Sequence, residues 1–192
     1  MNLGWKLAQV VRGVSGEQLL DTYHAERHPV AARVLHNTMA QTALNGPGER
    51  IINALRDTMS ELLTMHEPRT RIAAMMCGLD IHYDLGDGHS LLGHRMPDLD
   101  LHTPTGPTRL FTLLHQANGV LLKFGDARNF DITPWSDQVS MFDVHYSGGW
   151  NLPIIGEVAT PQAVLVRPDG YVAWVENGST SGLPAALDRW FT

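Results

Sequence analysis

The hydrophobic positions at the start of the chain recur every three or four residues. Leu3, Leu7, Val10 and Val11 mark one helix, with Asn2 expected as its N-cap and Gly13 as its stop. Ser15 is expected to open a second helix, with Gln18 at the capping-box position and Leu19, Leu20 and Tyr23 on the apolar side. Pro29 suits the first turn of a third, carrying Val30, Val34 and Leu35 towards Leu44. Asn45-Gly46-Pro47-Gly48 is a break. Ile51, Ile52, Leu55, Met59, Leu62 and Leu63 then form an amphipathic stripe at helical spacing. Pro68 begins a short helix ending at Gly78, with Met75, Met76 and Cys77 in its last turn. The methionines read as core filler, and Cys77 as a thiol in an apolar turn where the thiolate is disfavoured.

The period changes beyond Gly78. Leu99 and Leu101 alternate with Asp98 and Asp100, as in a strand with one buried face. Residues 103–107 read as a turn, and Thr108 as the cap of a helix through Leu110, Phe111, Leu113 and Leu114. Residues 119–124 and 139–144 read as strands. Residues 162–166 and 171–175 flank Arg167-Pro168-Asp169-Gly170, a hairpin signal because Asp-Gly tolerates positive φ. Residues 183–191 form a terminal helix.

Charge and composition sharpen this division. Residues 1–78 hold 8 basic and 7 acidic side chains, and residues 79–192 hold 6 and 13, so the net charge of -6 belongs to the second half. Most of the 11 prolines also fall there. The expected organisation is a helical segment at 1–78, a connector at 79–96 and a second domain at 97–192. The acidic balance, with Lys6 and Lys123 the only lysines, argues against nucleic acid. No apolar run approaches the roughly 18 residues of a membrane span. The first eight residues lack the order of a secretory signal, so no membrane association and a cytoplasmic location are expected. The single cysteine excludes an internal disulfide.

Four segments carry a family resemblance. Asn2-Leu3-Gly4-Trp5-Lys6-Leu7-Ala8 and residues 19–30 (LLDTYHAERHPV) resemble FAD-dependent aromatic hydroxylases related to p-hydroxybenzoate hydroxylase. Residues 93–101 (GHRMPDLDL) and 164–175 (VLVRPDGYVAWV) look like the rifampicin monooxygenase branch of that family. The resemblance implies the C-terminal part of an aromatic-ring or polyketide hydroxylase, with FAD and NAD(P)H as cofactors of the complete enzyme. The family's G-x-G-x-x-G is absent, and Gly86-Asp87-Gly88 is too short a match and reads as a loop. No FAD is therefore expected on this chain alone, and no residue is assigned a catalytic, cofactor-binding or metal-binding role. The resemblance also implies a thioredoxin-like second domain, giving a mixed α+β or α/β fold. At the redox position this sequence reads Gly125-Asp126-Ala127-Arg128, with no thiol, so dithiol exchange is excluded. The same resemblance implies a cis Thr160–Pro161 bond.

Other groupings read as structural. His24 and His28 stand at i, i+4, a spacing that can chelate zinc, but Arg27 between them opposes a cation. His82, His89 and His94 are expected in solvent or on backbone groups. Ser90, His94 and Asp98 supply triad residue types without a nucleophile elbow. Glu26-Arg27 reads as making a structural ion pair or helix-end contacts, and the five tryptophans read as core or interface anchors. The expected role is structural and assembly-related, through a homodimer joined by the first helices or through a flavin-binding domain or subunit. The alternative is a stand-alone non-catalytic interaction module, or a small-ligand binder with a pocket between its two parts.

Overall fold

The computed structural model describes residues 1–48, 50–125, 129–152, 154–176 and 182–192. Four helices come first: α1 (Asn2–Val11), α2 (Gln18–Asn45), α3 (Arg50–Leu62) and α4 (His66–Cys77). Gly13 follows α1 at φ +69°, and Gly78 ends α4 in the left-handed region. The expected caps do not form. Met1 is the N-cap of α1, which frees the Asn2 amide for tertiary contacts. The Ser15 hydroxyl donates to Gln9 Oε1 at 2.8 Å, and α2 begins at Gln18 behind Glu17. Pro29 opens no new helix; it lies inside the 28-residue α2. Buried contacts at Glu26 and Val30, on either side of it, keep the helix continuous through the missing hydrogen bond.

The sheet part contains β1 (Asp100–Thr103), β2 (Gly106–Arg109), α5 (Leu110–Leu113), β3 (Gly119–Phe124), β4 (Val139–Val144), β5 (Asn151–Leu152), β6 (Gly156–Glu157), β7 (Ala163–Val166), β8 (Val172–Val175) and α6 (Leu183–Phe191). The main sheet runs β4-β3-β7-β8. β3 and β4 are parallel, while β7 is antiparallel to both β3 and β8. Every residue of β7 and β8 is buried, so these strands have apolar cover on both faces. On one face Leu121, Leu165 and Trp174 pack with Leu187, Trp190 and Phe191 of α6 and with Trp5 and Leu19. On the other, Val120, Leu122, Val164 and Val172 pack with Leu101, Leu110 and Trp150. Gly119 is required by the first layer, because a Cβ there would stand 2.4 Å from the Phe191 ring.

The connector continues the sheet. The Gly93 amide donates to Val172 O, Val172 to His94 O and Met96 to Gly170 O, each at 2.9 Å. Gly93 adopts φ +75°, and a Cβ there would meet Tyr83 O at 2.0 Å, so only glycine fits.

Several expectations are corrected. Residues 106–109 are a strand paired with β1, so Thr108 caps no helix, and Arg109 is the N-cap of α5. Thr160–Pro161 is trans, as are all described peptide bonds. That form is intrinsically favoured by about 0.5–1 kcal/mol, and nothing in the entry to β7 demands the other. Asp126, Ala127 and Arg128 lie outside the described residues. The methionines of the helical segment are not all core: Met39 and Met76 are exposed, because α2 and α4 meet the rest of the molecule on other faces, whereas Met96 of the connector is fully buried. Cys77 is exposed for the same reason, since α4 buries Ala74 alone.

Candidate functional site

Glu26 of α2 sits at the junction between the helices and the sheet. Its Oε2 accepts from Lys6 Nζ of α1 at 3.0 Å and from Asn2 Nδ2 at 2.6 Å. Arg167, at the end of β7, grips it with two nitrogens, NH1 to Oε1 at 2.5 Å and NH2 to Oε2 at 3.1 Å. The same guanidinium holds Asp169 of the β7–β8 turn, NH2 to Oδ2 at 2.7 Å and Nε to Oδ1 at 3.1 Å. Asn2 Nδ2 also reaches Asp169 Oδ2 at 3.1 Å. Lys6 and Arg167 are wholly buried. The Arg167 guanidinium lies 4.4 Å from the Trp190 ring centre, with Tyr83, Trp5 and Tyr171 at 5.3, 5.5 and 5.9 Å.

Two cations face two carboxylates, so the cluster is neutral as a whole. Removing single ions from water costs several kcal/mol each, and the forked hydrogen bonds are what offset it. Burial alone would raise the Glu26 pKa, but the Arg167 bonds and charge, with Asn2 and Lys6, outweigh it and hold the carboxyl below its ordinary range. Burial pulls the Lys6 pKa down, and Glu26 restores only part of it. Burial opposes the Arg167 charge too, but Asp169 and Glu26 more than compensate and raise its pKa. A carboxylate so occupied has no capacity for proton transfer. The cluster binds elements together: α1, α2 and the hairpin turn meet at one charge.

Sequence reasoning missed this centre. Glu26 does not pair with its neighbour; Arg27 donates instead to the Tyr83 hydroxyl at 3.4 Å. The available signal was a charge in an apolar setting. Lys6 interrupts the stripe of α1, and Arg167 ends the run Ala163–Val166. Lys123 repeats the pattern inside β3, buried and paired with Asp143 at 2.7 Å.

The other candidates lie apart. His24 and His28 stack at 4.9 Å on an exposed face, and no group of three metal-ligating side chains exists among the described residues. Asp98 accepts from Arg109 Nε and from the Phe111 amide, both at 2.9 Å, while His94 stacks on His82 at 4.3 Å. Ser90, His94 and Asp98 share no hydrogen bond. Backbone contacts absorb His82 and His89, whose Nε2 atoms meet Leu92 O and Ala159 O. Trp5, Trp150, Trp174 and Trp190 are core residues.

A dinucleotide needs glycine-rich amides converging at a helix N-terminus. The N-caps of α1, α4 and α5 are Met1, Met65 and Arg109, with no glycine-rich turn before them, and α2, which follows Gly13 and Gly16, is capped by the acidic Glu17, which opposes a phosphate. Gly86 and Gly88 form a bend in which the Gly86 amide bonds Asp84. The described residues do not fit a flavin pyrophosphate.

Comparison with known proteins places the chain. Residues 89–192 match the family described as aromatic-ring hydroxylase, C-terminal, and residues 1–38 match an FAD binding domain family. The 12-dehydrotetracycline 5-monooxygenase/anhydrotetracycline 6-monooxygenase of Streptomyces rimosus is 41% identical over 196 residues, covering 100% of this chain and 38% of that protein. A rifampicin monooxygenase of Streptomyces venezuelae is 38% identical over 192 residues, covering 99% and 36%. Among solved structures, CabE, an aromatic hydroxylase from angucycline biosynthesis, superposes with TM-score 0.86 at 46% identity, covering 99% of this chain and 39% of that one. The chain thus spans under two-fifths of the length of these relatives, in their C-terminal part. No described helix is long and apolar enough to cross a membrane. With more than half of its residues inside the family's own boundaries, the chain belongs to the aromatic-ring hydroxylases, as their C-terminal part.

Proposed function

We propose that this chain is the supporting C-terminal portion of an FAD- and NAD(P)H-dependent aromatic-ring monooxygenase, with an assembly role and no turnover of its own. In the complete enzyme the flavin, reduced by NAD(P)H, would supply the insertion of one oxygen atom of dioxygen into a phenolic or polyketide-like ring. The observation that carries the reading is a pairing: the C-terminal family match over residues 89–192 preceded by a match to an FAD binding domain family over residues 1–38 alone. The residues present act by holding position. Lys6, Glu26, Arg167 and Asp169 hold α1 against the sheet, and the outward side of α1 presents Leu3, Leu7 and Val11 to whatever covers it. Titrating FAD while following its fluorescence tests this. No saturable quenching is expected, and tight one-to-one quenching would contradict it.

Residues 1–78, 79–96 and 97–192 serve in this reading as the end of the flavin-hydroxylase core, a connector and a thioredoxin-like domain. The sheet order with one parallel pair, the β7–β8 hairpin and a final helix on one face supports that last assignment. Residues 97–192 contain no cysteine, so disulfide exchange has no chemical basis there. Self-association is read as a homodimer through α1. Trp5 is spent internally on Trp190 and Phe191, which leaves Leu3, Leu7 and Val11 as the contact. Light scattering after size exclusion should give a dimer that Leu7→Glu with Val11→Glu dissociates. A monomer at high micromolar concentration contradicts the dimer.

A further inference from the structure

The motif at residues 93–101 is mostly spent on structure. Gly93, His94 and Met96 pair with the β8 hairpin, and Asp98 caps α5 and holds Arg109. Arg95 is the exception. Its side chain is exposed and makes no hydrogen bond or ion pair among the described residues, and its guanidinium lies 5.2 Å from the Phe111 ring centre. Beneath it opens a cavity of about 300 Å³. It is lined by Met96 and Leu152, both buried, and by Phe111, Ile154 and Ile155.

The charge on this rim is one-sided. The Asp98 carboxylate is taken by Arg109 and the Phe111 amide. His94 is pushed down to about 4 by burial, with His82 adding to it, and is neutral at pH 7. Arg95 is the one uncommitted charge at the mouth among the described residues, and it already lies over the Phe111 ring. Guanidinium groups pair with carboxylates through a planar fork and stack on rings by the same plane. The apolar volume exceeds what a single benzene-sized ring fills.

We propose that this cavity is a binding site for a planar aromatic carboxylate of one to two fused rings, the ring system lying against Phe111 over Met96 and Leu152 and the carboxylate meeting Arg95. The site uses only residues of the connector and the sheet domain, so it stands whether or not the flavoenzyme reading does.

The probes are 2-naphthoate, its neutral amide 2-naphthamide and the linear acid octanoate, titrated calorimetrically into the full chain. A single site for 2-naphthoate is expected, roughly tenfold tighter than for the amide, the low end of what a hydrogen bond to a charged group contributes. Arg95→Gln should reduce 2-naphthoate to the level of the amide while shifting the urea midpoint only slightly, because the exposed side chain makes no hydrogen bond or ion pair and gives up only its contact with Phe111. Ile155→Trp should block both aromatic probes by filling the cavity. The proposal is overturned if 2-naphthoate shows no binding at low millimolar concentration, if Arg95→Gln leaves its affinity unchanged, or if octanoate binds as well.

Discussion

The junction around Glu26 and the arm formed by α3 and the distal half of α2 are both built from helices, and they end up in opposite situations. The stripe of α3 is the clearer in sequence, yet α3 buries no residue, and Ile51, Leu55 and Leu62 face outward. α1 is less regular and carries a lysine, yet that lysine is wholly buried. α2 belongs to both regions. It buries Leu19, Glu26 and Val30, and beyond Val30 it buries nothing. An apolar stripe states that a face wants cover, but a charge lodged in an apolar stripe states that a specific partner exists.

The largest effect should come from breaking the junction. Glu26→Gln leaves Lys6 and Arg167 buried against a neutral amide, and about 3–5 kcal/mol of unfolding free energy should be lost in urea titration. Asp57→Asn, on the exposed side of α3, should fall within about 0.5 kcal/mol of the parent. Adding Lys6→Met to Glu26→Gln should cost less than the sum of the two, since each removes the other's partner.

Apolar truncations should divide in the same way. Leu187→Ala, in the α6 layer against the sheet, should cost about 2–5 kcal/mol. Leu55→Ala in the arm should cost about 0.5 kcal/mol or less. Equal costs at the two sites would mean that the arm is packed in solution.

A smaller effect concerns acid. The folded-state pKa of His94 is lowered from 6.5 to about 4, so on acidification the unfolded chain takes up the proton first. Stability from this group is full above about 6.5 and is lost as pH falls towards 4. His94→Gln should flatten the stability profile across that window. The further loss below it, where the depressed Glu26 carboxyl is protonated, should persist.

Much of this was legible in the sequence. β3, β4, β7, β8 and α6 lie where short apolar runs and the Asp169-Gly170 turn placed them, because buried strands and a left-handed turn are local requirements. The boundary errors came where tertiary contacts overrode local preference. Asn2 and Ser15 are good N-caps, but each found another partner, Glu26 and Gln9. Pro29 usually starts a helix, but buried contacts on both sides carried α2 through it. The junction was hidden because Glu26 and Arg167 are 141 positions apart, and no local pattern links them. The family motifs did contain Lys6, Glu26, Arg167 and Asp169, without indicating that they meet.

The central claim is that one buried charge cluster fastens α1 and the first part of α2 to the sheet and leaves the arm unfastened. Hydrogen–deuterium exchange across the full chain, on the parent and on Glu26→Gln, measures this most directly. In the parent, α1 and residues 18–30 should exchange as slowly as β3 and β7, and residues 31–45 and α3 should exchange fast. In Glu26→Gln, α1 and residues 18–30 should join the fast class while β3 and β7 stay slow. Protection of α3 equal to that of β3, or unchanged protection of α1 in the variant, would contradict the account.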